Sequence, residues 1–253
     1  MTSNGDLGKE FGELAEELEK RLKDLVEDPS PENVHEVRTL LRRIGAVRRL
    51  LPRGIRRKKK VARYLESTES LFRATTPVSD LDVTASLLGR MGPSGGTGLS
   101  SAVSAIGSRR SARLSEVLAS GRSLQGRSLP RRPVKVSRPR LAKNRRKAVG
   151  RLDARLRDLR PRIAADPKAL HSFRKDCKTL RYVLEIGGPS KGAKERIERL
   201  KQWQGALGEI TDIDAALRYV SSLRPSGRLA GVRDALAAQR RERVGSLSSM
   251  PAA

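Results

Sequence analysis

A chain of 253 residues holds one large domain or two small ones, and either can bury a substantial core. Apolar residues make up 37% and aromatics only 3%, so that core must be mostly Leu, Val, Ile and Ala, which suits packed helices and argues against a β-sandwich. A formal net charge of +26, from 54 Lys and Arg against 28 Asp and Glu, opposes compaction by self-repulsion unless a polyanion offsets it; the partner classes it points to are nucleic acid, a polyphosphate-like polymer and an anionic membrane surface.

In chain order, residues 7–27 place Leu7, Phe11, Leu14, Leu18, Leu22 and Leu25 at spacings of three and four, the pattern of an amphipathic helix. DPSPENVHEV supplies a turn with a proline near a helix start, and a second helix runs through residue 51 to stop at Pro52. A third is expected over about 54–75, ending at TTP. A short one then follows in VSDLDVTASLLGR, with Ser79 or Asp80 near its N-terminus. MGPSGGTG (91–98) reads as a loop and 99–119 as a weaker, Ser-rich helix. Residues 117–152 hold 12 Lys or Arg and no Asp or Glu, and the prolines of PRRPVKVSRPR make an extended loop there. Helical pattern resumes near 140 and runs to Pro161. It recurs over about 167–187, in one or two helices up to residue 223, and over roughly 226–245. No segment alternates in the manner of a strand, so the fold class is all-α.

The acidic first residues lack the apolar segment of a secretion signal, no apolar run reaches membrane-spanning length, and the single cysteine, Cys177, excludes an internal disulfide. A cytoplasmic location without membrane contact is the expectation.

Two stretches repeat. VHEVRTLLRRI (34–44) and LHSFRKDCKTL (170–180) both read apolar, His, two residues, Arg, three residues, Arg or Lys. His35, Arg38 and Arg42 match His171, Arg174 and Lys178, each pair 136 positions apart. VSDLDV (78–83) likewise matches ITDIDA (210–215), pairing Asp80 with Asp212 and Asp82 with Asp214. Two motifs in the same order in each half argue for an internal duplication. At about 100° per residue, Arg38, Arg42 and Arg49 fall on the His35 side of their helix, while Val34, Val37, Leu40, Leu41, Ile44, Val47 and Leu51 take the opposite side. In the second copy His171, Arg174 and Lys178 share one side with Arg181 at its margin; Leu170, Phe173, Cys177, Leu180 and Leu184 take the other. A cationic stripe is ordinarily a solvated face. This one recurs, is nearly free of the Glu that a solvated helix uses for i,i+4 pairing, and is headed each time by a histidine, which favours an anion site.

These residues, above all H-x-x-R-x-x-x-K-x-L-R-Y-x-L-E at 171–185, resemble the CHAD family, the conserved-histidine α-helical domain, over about residues 7–222. The resemblance implies two pseudo-symmetric antiparallel helical bundles from an internal duplication, with a basic central groove. Residues 1–90 form the first repeat, 91–140 a connecting region and 141–253 the second repeat. It further implies non-catalytic binding of inorganic polyphosphate, without a cofactor or metal, and for some members association with polyphosphate granules. The site residues carried over by position are His35, Arg38, Arg42, His171, Arg174, Lys178 and Arg181; Arg49 joins them from the stripe. The match ends at the stripe's tail, where Gly45 stands opposite Arg181 and Glu185 opposite Arg49.

The chemistry suits such a ligand. A linear polyphosphate offers roughly one charge per phosphate and no base or sugar to read, so its receptor needs many donors in a line. Arg forks phosphate oxygens and Lys acts as a point charge. The D-x-D pairs do not converge on one metal ion, because residues i and i+2 lie about 200° apart on a helix; the expectation is a first Asp capping a helix and a second paired with an arginine of the stripe. GGPSKGAK has Ala193 where a P-loop needs its lysine, and no other catalytic motif is present. Sequence-independent contact with nucleic acid through 117–152 is the second reading, and an enzyme acting on short phosphate chains the third.

Overall fold

The two helices that carry the histidines begin alike. Ser30 accepts a hydrogen bond from the Asn33 backbone N–H (3.4 Å) and Pro31 takes the first helical position; Asp166 accepts one from the Lys168 N–H (2.8 Å) and Pro167 takes the same place. A side-chain oxygen satisfies one of the helix's orphan donors, and proline suits the first turn because its fixed φ is helical and its missing N–H has no partner there. Each histidine lies four residues beyond its proline.

The structure, a computed structural model, describes residues 7–91, 96–125, 127, 134–186, 188, 191–223 and 229–253. Nearly all of these are helical, and no strand occurs among them. The helices are α1 (Leu7–Glu27), α2 (Pro31–Leu50), the short α3 (Arg53–Arg56), α4 (Lys59–Arg90), α5 (Gly96–Gln125), α6 (Arg138–Leu159), α7 (Pro167–Glu185), α8 (Lys191–Ser222) and α9 (Ala230–Ser246). Helix lengths run parallel in the two halves: 21, 20 and 32 residues for α1, α2 and α4, then 22, 19 and 32 for α6, α7 and α8. So does the packing order. α1 lies on α2, α2 on α4 and α4 on α5; α6 lies on α7, α7 on α8 and α8 on α9. The halves meet through α2 against α7 and α4 against α8.

One apolar core runs through both halves, from Leu7 and Phe11 on α1, through Val37 and Ile44 on α2, to Phe173 on α7 and Leu207 on α8. Trp203 is fully buried at its centre, edge-on to Phe173 at 5.1 Å, and its indole N–H donates to the Pro251 carbonyl (2.9 Å). A second, smaller cluster gathers Leu88, Ile106, Ile213 and Leu236 between α4, α5, α8 and α9. Every apolar residue assigned to the inner sides of the two histidine helices is buried. The cations on their other sides are thereby held in place by core packing.

Three expectations change. The chain does not break at TTP: α4 continues through Pro77 as a single helix, so Ser79 and Asp80 are interior and cap nothing. Proline removes one rung of the helical ladder. Side-chain donors hold the turn before it: Thr76 Oγ1 (2.8 Å) and Arg38 Nη1 (3.3 Å) on the Phe72 carbonyl, and Thr75 Oγ1 (3.0 Å) on that of Leu71. Asp212 is interior to α8 in the same way. Secondly, the second Asp of each D-x-D is paired, but not with the histidine helices. Asp82 binds Arg110 of α5, and Asp214 binds Arg240 of α9 at 2.5 Å. Arg110 also donates to the Pro29 carbonyl (2.7 Å), tying α5 to the turn before α2. Thirdly, α5 is a full helix of 30 residues beginning at Gly96, well inside the expected loop, where the sequence suggested a shorter one. The remaining loop expectations at 92–95, 128–133, 187 and 189–190, and the start of the last helix at 226–228, lie outside the described residues.

Asp82→Ala leaves the largely buried Arg110 without its counter-charge, so the protein loses about 2–3 kcal/mol of stability, readable as a lower urea midpoint, with the α2–α7 surface unaffected.

Candidate functional site

α2 and α7 cross with their cationic sides toward each other and toward α4 and α8. The fields these residues exert on one another define the cluster. The Arg42 charge acts on His35 and Arg38 of its own helix and on Arg174 and Lys178 of α7; Lys178 acts on His35 in return. The structure therefore brings His35, Arg38, Arg42, His171, Arg174 and Lys178 to one place, drawn from both halves of the chain.

Arg38 lies deepest, 6% exposed. Its Nη1 donates to the Thr75 (3.1 Å) and Thr76 (3.0 Å) hydroxyls as well as the Phe72 carbonyl, and its guanidinium lies 4.8 Å from the Phe72 ring centroid. Burial, followed by the neighbouring Arg42 charge, pushes its pKa down to about 10. Lys178 is the most perturbed lysine: burial first, then the charges of Arg174 and Arg42, pull it down to about 7, with Asp212 opposing. Arg174 is lowered chiefly by burial and faces Asp212 at 4.0 Å. At the exposed rim, His35 is held below its ordinary pKa by desolvation, then by Arg42, Lys178 and Arg38; His171 by desolvation, then by Lys175 and Arg174, with Asp80 opposing.

Asp80 and Asp212 are site residues that the motif reading took for scaffold. They come from the two 32-residue helices and face the cluster: Asp80 acts on Arg38, His171 and Arg174, and Asp212 on Arg174 and Lys178. The Asp212 carboxyl is itself raised, by burial first and with Asp80 contributing. Their matched positions in the repeat were the signal; the assumption that α4 broke at Pro77 hid it.

Two expected residues stand apart. Arg49 is exposed at the last turn of α2, and no interaction among the described residues links it to the cluster. Arg181 donates to Glu185 (3.1 Å) and lies 4.3 Å from the Tyr182 ring centroid, so the Glu at the repeat position of Arg49 neutralises it. The Nε groups of Arg38, Arg174 and Arg181 are buried with no hydrogen-bond partner among the described residues. Buried guanidinium N–H groups rarely stay unsatisfied, which makes them natural donors to an incoming anion.

No interaction links the described residues of the basic stretch 117–152 to the cluster. Its α6 part exposes Arg138, Arg140, Lys143, Arg146 and Lys147, while Asn144 donates to the Leu50 carbonyl (2.7 Å) and so pins α6 beside the end of α2. Arg53, Arg56, Arg57, Lys58, Lys59 and Lys60, all exposed, follow directly in sequence. This is a separate cationic surface.

The sequence matches the CHAD domain family over residues 10–221. The chain belongs to the CHAD family. Among solved structures, it is similar to the crystal structure of the CHAD domain from the plant Ricinus communis, with a TM-score of 0.63 and 19% identity across 100% of this chain and 90% of that one. That likeness supports the all-α CHAD architecture. No curated protein matches the sequence. Among the described residues of this CHAD protein, no helix is long and apolar enough to cross a membrane.

Proposed function

We propose that this CHAD protein binds inorganic polyphosphate in the groove between α2 and α7 and performs no reaction on it. The observation that carries the reading is the convergence of His35, Arg38, Arg42, His171, Arg174 and Lys178, six side chains against which the described carboxylates acting on them are fewer: Asp80, Asp212 and, at the rim beside His35, Glu36. Burial, and after it the repulsion of Arg174 and Arg42, holds Lys178 at about 7. A polyanion is what such a cluster lacks. The six side chains are mostly charged donors with few aromatic faces among them, so base stacking is not the groove's evident mode.

Competition tests this. Labelled long-chain polyphosphate bound at about physiological ionic strength should resist duplex DNA supplied at equal phosphate concentration, since non-specific backbone contacts weaken there. Displacement by the DNA would remove the specific reading.

Backbone contact with nucleic acid is a second reading, favoured by the separate surface formed by α6 and residues 53–60. There the expected result is weak DNA binding that falls steeply with salt and is lost on charge reversal at Lys143 and Arg146, while polyphosphate affinity is kept.

A further inference from the structure

α4, α5 and α8 line an open cleft of about 540 Å³ that takes Asp80 and Leu81 from one copy of the aspartate motif and Ala215 from the other. Part of its lining is apolar: Pro77 and Leu81 from α4, Ala112 from α5 and Ala215 from α8. The rest is charged. Arg109 and Arg113 enter from α5, Arg218 from α8 and Asp80 from α4. All three arginines are exposed, and none is in an ion pair among the described residues. Arg109 is positioned by an aromatic ring: its guanidinium lies 5.0 Å from the centroid of Tyr219, whose hydroxyl donates to the Ala102 carbonyl (3.2 Å).

A bare phosphate chain has no group to place on Pro77, Leu81, Ala112 and Ala215. An organic phosphate has one. We infer that this cleft is a second binding site, for an organic phosphate of the nucleotide type: phosphates on Arg113 and Arg218, the ring on the apolar lining and against Arg109, and a hydroxyl or amino group donating to Asp80. The volume suits a ligand of that size, and a guanidinium held over an aromatic ring offers a platform on which a base stacks. The site is independent of the polyphosphate reading, although it adjoins the groove, since Asp80 and Arg218 both act on His171.

The test compares magnesium-free ATP with inorganic tripolyphosphate by calorimetry on the full chain carrying Arg42→Ala and Lys178→Ala, so that the groove does not hold the tripolyphosphate. Tripolyphosphate carries more charge, so a purely electrostatic surface prefers it. The cleft predicts the opposite order, with ATP bound about tenfold more tightly. Ala112→Trp, which crowds the apolar lining, and Arg113→Glu each lower ATP affinity at least about tenfold, a size expected for a lost stacking platform or phosphate contact, and with the groove residues intact Ala112→Trp leaves long-chain polyphosphate binding unchanged. Both positions are exposed, and circular dichroism confirms that the variants fold. Equal affinity for the two probes overturns the inference. So does ATP binding that survives both substitutions, or ATP binding to the unsubstituted chain that Arg42→Ala with Lys178→Ala abolishes, which puts ATP in the groove.

Discussion

Replacing Arg42 and Lys178 together by alanine weakens the binding of long-chain polyphosphate by at least about a hundredfold, the lower bound for two charge-assisted contacts of roughly 1.5–3 kcal/mol each. These two residues separate binding from folding. Arg38 also braces the Phe72 turn of α4, and Arg174 faces Asp212, so their loss confounds the two. Arg42 and Lys178 make no hydrogen bond or ion pair among the described residues, and each interacts with charges of the other's helix. The control removes the same net charge elsewhere. Lys20 and Lys23 are exposed on α1, which carries none of the cluster, so Lys20→Ala with Lys23→Ala changes affinity less than about threefold, because salt screens exposed charges away from the ligand. Fluorescence anisotropy with labelled polyphosphate reads both pairs. Equal losses would mean that overall charge, and not the groove, holds the ligand.

What the sequence made legible follows from which residues had only one physical option. The sides of α2 and α7 were readable because Val37, Ile44, Phe173 and Leu180 have to be buried, and a 3.6-residue period then fixes where His35, Arg38, His171 and Arg174 face. Their starts were readable because proline after a capping residue has few other uses. Pro77 misled for the converse reason. Its cost to a helix is local, and the groups that hold the turn, Thr75, Thr76 and Arg38, include one from another helix entirely. The aspartates show the same limit. Residues two apart on a helix must face different neighbours, so Asp80 and Asp82 were bound to differ in role, but which one met the cationic cluster depended on the placement of α5 and α9. Arg181 was placed on the right side of α7, yet Glu185, one turn on, takes its charge, a pairing that i,i+4 spacing alone announces. The cleft beside Arg109 and Arg113 was not legible even though Asp80 and Ala215 belong to the repeated motif, because its walls come from three helices separated in sequence.

Polyphosphate affinity falls about tenfold between pH 6 and pH 8 through Lys178 alone, and Lys178→Met abolishes most of that dependence between pH 7 and pH 8. The sign follows from the shift. In the empty protein burial and the Arg174 and Arg42 charges hold Lys178 at about 7, so it is charged at pH 6 and mostly neutral at pH 8. A bound phosphate favours the ammonium, so binding takes up a proton above pH 7 and grows harder as that proton becomes scarce. His35 and His171, both held below their ordinary value, extend the same dependence to more acid pH. Stability of the free protein runs the other way. The unfolded chain keeps the Lys178 proton up to the ordinary lysine range and the folded chain releases it near 7, so between those limits stability rises with pH. Below pH 7 the desolvated ammonium costs its full amount. Lys178→Met should therefore raise the stability of the ligand-free protein at pH 6 by about 1–2 kcal/mol, a gain of several degrees in Tm, while weakening polyphosphate binding. Long-chain polyphosphate should stabilise the unsubstituted protein more at pH 6 than at pH 8, because the stabilisation by a ligand that binds only the folded form grows with the logarithm of its affinity. Thermal unfolding at the two pH values, with and without polyphosphate, measures all of this. A pH dependence of binding that Lys178→Met leaves unchanged would assign the proton to another group.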